Sequence, residues 1–175
     1  ADDGSLVWEI PAERVKATRE SARRPHVVPL PQVAVDLLRE IDELRAKRAA
    51  PTKKRKEALP LSAFLFPAPR QDRPITPDPI TRALRKNLKA LGLENVRPHD
   101  FRRTVDTKLG ELGFSRFVRD RVLGHVDPSV GGRHYDRYDY LTEKRAALEA
   151  WGDMLTEITT GRAAASNVVR LQPAG

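Results

Sequence analysis

The sequence predicts a mainly α-helical domain with a small antiparallel β-sheet near the amino terminus, an α+β fold. Apolar residues recur every three or four positions over most of the chain from residue 32 onward, which is the spacing of amphipathic helices. Two short segments before that region, 6–11 and 26–30, are rich in β-branched residues and bounded by prolines, which favours strands. The length of 175 residues suits one domain with a proper hydrophobic core.

The two predicted strands flank a polar and basic connection. The first contains Trp8, and both have prolines at their ends, where a strand tolerates them. We expect the strands to pair antiparallel, with Lys16 near the turn between them.

Five helices are predicted after the strands, each from its apolar spacing and from a cap or stop residue. In chain order they are a helix at 32–48, one capped by Thr76 and ended by Gly92, one from near His99 to Gly113, one capped by Ser115, and one from Leu141 to Ile158.

Loops separate these helices. Residues 51–60 carry the basic run Lys53-Lys54-Arg55-Lys56 and predict a solvated loop. Residues 63–66 predict a short buried segment that ends at Pro67, and residues 127–132 a turn-rich loop. Periodicity is lost near residue 160, so we expect one domain over 1–159 and a mobile tail over 160–175.

The charge balance favours a polyanionic partner. Lys and Arg number 32 against 24 Asp and Glu, giving a net charge of +8 and a sequence pI near 10.1. The mean hydropathy of −0.54 indicates a large polar surface. The charge alone does not name a reaction.

Several function classes are disfavoured by composition. The chain has no cysteine, which excludes disulfides, thiolate catalysis and cysteine-based zinc sites. The four histidines show no metal-ligand spacing, so we expect no metal and no cofactor. No apolar run approaches the roughly 20 residues of a membrane span, and no signal peptide opens the chain.

A scattered set of residues has the chemistry needed to cut a nucleic-acid backbone without a metal. His99 and Arg102 are three apart at a predicted helix start, where a helix face and its dipole favour an anion. His125 follows a helix end, and Lys16 could protonate a leaving oxygen. A tyrosine could attack phosphorus.

Local chemistry does not choose among Tyr135, Tyr138 and Tyr140 as this nucleophile. Taken singly, each of these residues also has an ordinary role, as a basic helix start, a histidine that caps carbonyls or a surface tyrosine. The order of the set along the chain distinguishes these readings.

That order resembles the catalytic domain of the tyrosine recombinases, in the integrase branch of prophages and genomic islands, over about residues 6–156. The matching blocks are His99–Thr104, Glu111–Gly113, Val122–His125, Tyr135–Leu141, Glu143–Arg145 and Trp151, preceded by Trp8–Pro11, Lys16 and Pro25–Leu30. The resemblance implies the fold of the tyrosine recombinase catalytic domain. It also implies that the protein is a DNA strand transferase that carries out site-specific recombination.

The resemblance also implies residue roles. Tyr135 would attack the scissile phosphate and form a 3′-phosphotyrosyl bond. Arg102 and His125 would bind the phosphate oxygens, His99 would also help to take the tyrosine proton, and Lys16 would be the general acid. The residues expected to contact DNA outside this set are Arg103, Arg133, Lys53, Lys54 and Arg55.

The partner implied is double-stranded DNA at attachment sites, bound by a homotetramer when the protein is full length, with this chain alone expected to be a monomer. A cytoplasmic, nucleoid-associated bacterial protein is expected. The family also uses an arginine block upstream of the Trp8–Pro11 strand, and this sequence begins after it. We therefore expect a truncated catalytic domain that cleaves poorly alone.

Three alternatives stay open at this stage. A non-catalytic basic DNA-binding module would grip phosphates without cutting. A type IB topoisomerase-like enzyme would use similar chemistry only to relax supercoils, although that class commonly has a lysine where His125 stands. A basic helical domain with a scattered polar surface is the third.

Overall fold

The computed structural model describes residues 6–15, 25–68, 73–125 and 138–161. The prediction of a mainly α-helical chain with a small antiparallel sheet near its amino terminus is confirmed. The elements in these ranges are β1 (Val7–Ile10), β2 (His26–Pro29), α1 (Gln32–Ala49), α2 (Pro77–Asn87), α3 (Pro98–Glu111), α4 (Arg116–Val122) and α5 (Leu141–Thr160), with a 3-10 turn at Ala12–Arg14. None of these helices is both long and apolar enough to cross a membrane.

Strands β1 and β2 form the predicted antiparallel pair. Val7 lies opposite Pro29, and Ile10 lies opposite His26 in the last pair before the connection. Pro29 is fully buried, whereas Trp8 is exposed. The sheet therefore uses β2 as the strand that faces the protein interior.

The helix boundaries follow local chemistry. Ser115 Oγ accepts a hydrogen bond from the backbone N–H of Val118, which confirms the predicted cap of α4. Thr76 occupies the cap position of α2 but makes no side-chain cap bond there. Pro79 has no N–H group, so it removes one of the donors that such a cap would bind. The predicted cap position of Thr76 is therefore confirmed, but the predicted side-chain hydrogen bond is not formed.

The chain divides into two compact units, one made of residues 1–35 and 104–175 and the other of residues 36–103. The core of the first unit contains Leu109 of α3, Val122 of α4 and Ala147 of α5. Six partly buried residues pack against this core: Val105, Leu112, Phe114, Val118, Leu148 and Trp151. The three helices thus supply the apolar faces that their spacing predicts.

Helix α5 also packs against the segment that follows β2. Gly152 of α5 lies against Pro31 and Val33, since a Cβ built on Gly152 would be 3.1 Å from Pro31 Cβ. This close approach explains a glycine inside a helix, where it otherwise costs stability.

In the second unit the segment 63–66 is not buried as predicted. The Phe66 side chain is 52% exposed, and the main chain instead pairs with residues 73–75 through a bond from Ile75 N–H to Phe66 C=O. A short apolar run has the same appearance in a buried strand and in a surface turn, so its spacing could not separate the two.

The last helix ends two residues later than the predicted end at Ile158. Helix α5 continues to Thr160 and ends at Gly161, whose φ of +66° is the left-handed conformation typical of a helix stop. Its last residue therefore lies one position beyond the predicted domain end at 159. The loop predicted at 127–132, and the predicted tail beyond residue 161, lie outside the described residues.

Candidate active site

Three of the five predicted active-site residues lie in the described part of the chain: His99, Arg102 and His125. Lys16 and Tyr135 lie outside the described residues, as does Arg133.

His99 and Arg102 are exposed in the first turns of α3, in the second unit. Their spacing of three residues makes them neighbours on one face of the helix. The helix start is fixed by Asp100, whose Oδ2 accepts a 2.8 Å hydrogen bond from the Arg97 N–H. The arrangement presents an imidazole and a guanidinium at a helix amino terminus, which is chemistry suited to an anion.

His125 follows α4 in a well-defined helix stop. The His125 N–H donates to the Asp120 carbonyl at 2.8 Å, and the Gly124 N–H donates to the Arg121 carbonyl at 3.3 Å. These two bonds form a Schellman motif, in which the penultimate residue adopts the left-handed conformation. Gly124 has a φ of +65°, as the motif requires.

The imidazole of His125 is held by a side chain of the same helix. Its Nδ1 lies 2.8 Å from Asp120 Oδ1, and both side chains are about half exposed. The second oxygen, Asp120 Oδ2, lies 3.7 Å from Arg116 Nε. The His125 ring is therefore held at Nδ1, and Nε2 is its other polar atom.

The base of the β1–β2 connection lies beside this turn. A Cβ built on Gly124 would be 3.1 Å from His26 Nε2, so the His26 ring rests on the Gly124 backbone. His26 forms the last pair of the ladder with Ile10, before the connection that contains Lys16. Within the first unit, the two ends of that connection are thus close to the His125 turn.

The start of α5, which follows the segment containing Tyr135, is attached to α4 by aromatic contacts. The rings of Tyr140 and Phe117 meet edge to face at 5.0 Å, and those of Tyr138 and Tyr140 at 4.7 Å. The Arg121 guanidinium lies 4.9 Å from the Tyr140 ring centre. Tyr140 also has a φ of +55°. These contacts give Tyr138 and Tyr140 a structural role at the start of the helix.

Lys144 attaches α5 to the sheet, and the sequence analysis missed it. The residue is buried, and its Nζ donates a 2.6 Å hydrogen bond to the Val27 carbonyl of β2. Burial lowers the pKa of the Lys144 ammonium, and the Arg121 charge lowers it further, while Asp139 opposes both. A lysine within Glu143-Lys144-Arg145 has the composition of a solvated helix face, so no local signal marked it.

The residues predicted to contact DNA differ in their surroundings. Lys53, Lys54 and Arg103 are exposed. Arg55 is half-buried, and its Nη2 donates to the last carbonyls of α1, including that of Ala49 at 3.1 Å. Arg55 therefore closes the carboxyl end of α1, and its contact with DNA stays a prediction.

Helix α2 carries a basic face that the sequence analysis did not single out. Four exposed basic residues lie along it and its following turn: Arg82, Arg85, Lys86 and Lys89. Arg82, Lys86 and Lys89 follow the i, i+4, i+7 spacing of one helix face. The same periodicity test, applied to charge instead of apolar residues, would have found this face.

Comparison with known proteins adds two curated relatives. The chain is 28% identical to prophage integrase IntA of Escherichia coli (strain K12) over 176 aligned residues, covering 99% of the chain and 37% of the relative. It is 32% identical to prophage integrase IntZ of the same strain over 156 residues, covering 87% of the chain and 32% of the relative.

The chain thus spans about a third of the length of the curated relatives it matches. No solved structure matches it. Residues 5–141 match the phage integrase family, a range that contains the His99–Arg102 helix start, the His125 turn and the hairpin. The chain therefore belongs to the phage integrase family.

Proposed function

We propose that this chain is a catalytic domain, over residues 1–159, of a site-specific recombinase that cuts and rejoins DNA to integrate or excise a mobile element. Membership of the phage integrase family supports DNA recombination, and both curated relatives are named prophage integrases. One structural observation carries the proposal. In the first unit, the His125 turn contacts the hairpin base that flanks Lys16, and α4 contacts the start of α5, close after Tyr135.

The proposed reaction is a transesterification at phosphorus. The Tyr135 hydroxyl oxygen bonds to phosphorus, the bond from phosphorus to the 5′ oxygen breaks, and a 3′-phosphotyrosyl bond remains. The phenolic proton passes to His99, and Lys16 donates a proton to the departing 5′ oxygen. Arg102 and His125 bind the non-bridging oxygens, where charge accumulates in the transition state.

Rejoining reverses these steps with a different strand. A 5′ hydroxyl of the partner duplex attacks the phosphotyrosyl phosphorus, and the Tyr135 oxygen leaves. The energy of the phosphodiester is kept in the covalent intermediate, so neither strand exchange nor ligation requires a nucleotide cofactor. This feature suits a protein that must exchange strands between two duplexes.

Binding to double-stranded DNA follows from charge. The net charge of +8 and the exposed basic residues Lys53, Lys54 and Arg103 favour contacts with phosphates. The α2 face around Lys86 adds a second row of positive charge. We infer that the whole protein assembles as a tetramer on two duplexes, with this domain as its cutting part.

The test is a covalent-trapping experiment on a nicked suicide DNA substrate. It uses a protein that joins these residues to the upstream arginine block of the family, because that block belongs to the proposed site. We expect a protein–DNA adduct that resists denaturation, that is lost in Tyr135→Phe, and that persists in the matched variant Tyr138→Phe.

The outcomes separate the candidate functions. If Tyr138→Phe lost the adduct and Tyr135→Phe kept it, the nucleophile would be Tyr138 and the proposed role of Tyr135 would be wrong. A protein that binds DNA but yields no adduct, and whose properties are unchanged in Tyr135→Phe, would be a non-catalytic DNA-binding module.

A further inference from the structure

Asp120 has a position that the helix dipole does not favour, and within α4 its carboxylate pairs with Arg116, four residues earlier. It lies in the last turn of α4, where the helix dipole disfavours a carboxylate. The Schellman motif that ends the helix uses the Asp120 carbonyl and leaves its side chain free for another role. The side chain instead contacts His125, with Oδ1 at 2.8 Å from Nδ1.

The contact determines which nitrogen of His125 can meet a ligand. An ionised carboxylate only accepts hydrogen bonds, so the hydrogen between Asp120 and His125 resides on Nδ1. Phosphate oxygens also accept, so Nε2 must donate to them. The ring that bridges Asp120 and a phosphate then carries hydrogens on both nitrogens, and the Asp120 carboxylate balances its positive charge.

The surroundings of the pair fit this arrangement. Arg116 Nε lies 3.7 Å from the other carboxylate oxygen of Asp120, Oδ2. The backbone of His125 is anchored by the Schellman bonds, and Gly124 is pressed against the His26 ring. The backbone of His125 and its Nδ1 atom are thus both held, so the ring has little freedom to rotate and the direction in which Nε2 points is restricted.

We propose that Asp120 is a positioning residue of the recombination site, acting through His125 so that Nε2 faces the scissile phosphate. The proposal rests on the proposed function for its last step. Its structural part, the hydrogen on Nδ1, is independent of that function.

The structural part is tested by nuclear magnetic resonance on this chain, with ¹⁵N-labelled histidine. We expect the Nδ1 of His125 to show the chemical shift of a protonated nitrogen at neutral pH. Asp120→Ala should move the hydrogen to Nε2, the nitrogen that a free neutral imidazole prefers. The His125→Gln variant assigns the signals, and an unprotonated Nδ1 in the wild type would overturn the proposal.

The functional part is tested by adduct formation in the longer protein. We expect Asp120→Ala to slow cleavage about 10-fold, as the loss of a residue that orients a ligand group does. His125→Ala should slow it by about 100-fold, as the loss of a transition-state donor does. If Asp120 acts only through His125, the double variant should cleave no more slowly than His125→Ala.

Two matched controls separate positioning from loss of charge. Arg116→Ala removes the second partner of Asp120, and Asp36→Ala removes an exposed aspartate that pairs with Arg39 in α1. Both should cleave at the wild-type rate. A double variant in which the two effects multiply, or a wild-type rate in Asp120→Ala, would overturn the positioning role. Absence of cleavage in the wild type would refute the proposed function and this role in it, while the Nδ1 result would stand.

Discussion

Gly124 is subject to two independent constraints, one from its own backbone and one from a neighbour. Its φ of +65° is rarely adopted by residues with a Cβ. Its α-carbon also faces the His26 ring, at a distance where a methyl group would be 3.1 Å from Nε2. A glycine between Leu123 and His125 thus allows both the helix stop and the approach of the hairpin.

Replacement of Gly124 by alanine should therefore destabilise the chain more than the same change at Gly113. Gly113 has a φ of +88°, but a Cβ there would meet nothing within 4 Å. We expect Gly113→Ala to cost about 1–2 kcal/mol from backbone strain alone. Gly124→Ala should cost about 1–3 kcal/mol more from overpacking. Urea unfolding of both variants measures the difference, and equal losses would show that His26 yields without cost.

The predictability of single residues depended on whether their partners are local. Ser115 was predicted as a cap because its partner, Val118, is three residues away. The hydrogen bond from Lys144 to the Val27 carbonyl joins residues far apart in sequence, so no local sequence pattern predicts it. The hydrogen bonds of Arg55 to the end of α1 were likewise not indicated by its basic neighbours, and its contact with DNA stays a prediction.

At the scale of elements, the first unit is assembled around α5. The helix contributes Ala147 to the core, places Gly152 against Pro31 and directs Lys144 to the β2 backbone. These contacts connect the helix after the Tyr135 segment with the strand after the Lys16 connection. The packing of α5 on β2 is therefore a structural condition for the proposed site.

The buried lysine in this contact makes stability depend on alkaline pH. Burial lowers the pKa of Lys144 in the folded chain below its ordinary 10.5. Between the lowered value and 10.5 the unfolded chain binds more protons than the folded chain, so the free energy of unfolding rises with pH in this window. The Lys144→Met variant has no ammonium at this position, so its free energy of unfolding lacks this increase with pH.

We therefore expect the stability of the wild type, relative to Lys144→Met, to increase as the pH rises from the lowered pKa of Lys144 toward its ordinary value of 10.5. Urea unfolding at a series of pH values measures it. Lys47→Met serves as control because Lys47 is exposed on α1 and paired with Glu43. Parallel pH profiles for wild type and Lys144→Met would show that the ammonium is not desolvated.

Elements with their own start and stop signals were predicted well. The third helix lies between Pro98 and Gly113, and the fourth between Ser115 and Gly124. The structure confirms both helices close to those bounds. Residues 63–66 have no such periodicity, and the Phe66 carbonyl accepts a hydrogen bond from the Ile75 N–H. Helices were thus predictable where their start and stop signals are local. The burial of a short apolar segment was not predictable from local sequence.

At the scale of the whole molecule, the candidate site illustrates the same limit. The ordered set of sequence blocks, from the Trp8 strand through His99–Thr104 and Val122–His125 to Tyr135–Leu141, indicates the family, and the family match over residues 5–141 confirms it. The link between Asp120 and His125, and the contact of His26 with Gly124, required the structure. Order along the chain indicates the family, whereas the contacts around His125 depend on the folded structure.

The positive charge of the molecule is concentrated in part on α2, and this predicts how DNA binding responds to salt. Each phosphate contact releases counterions, so the slope of log affinity against log salt concentration falls by about 0.9 per contact. We expect Lys86→Ala to weaken binding about equally for duplexes of unrelated sequence and to reduce the slope by about one contact. Lys86 is exposed near the end of α2, so the change should leave stability intact.

Fluorescence anisotropy with two unrelated labelled duplexes, at several salt concentrations, measures both quantities. Lys47→Ala is the matched control, because Lys47 is also exposed but lies on α1, outside the α2 face, with its Nζ 3.8 Å from Glu43 Oε2. An unchanged slope in Lys86→Ala would show that the α2 face does not meet phosphates. A loss of affinity for one duplex alone would instead mean that Lys86 contacts base edges, since phosphate contacts are independent of sequence.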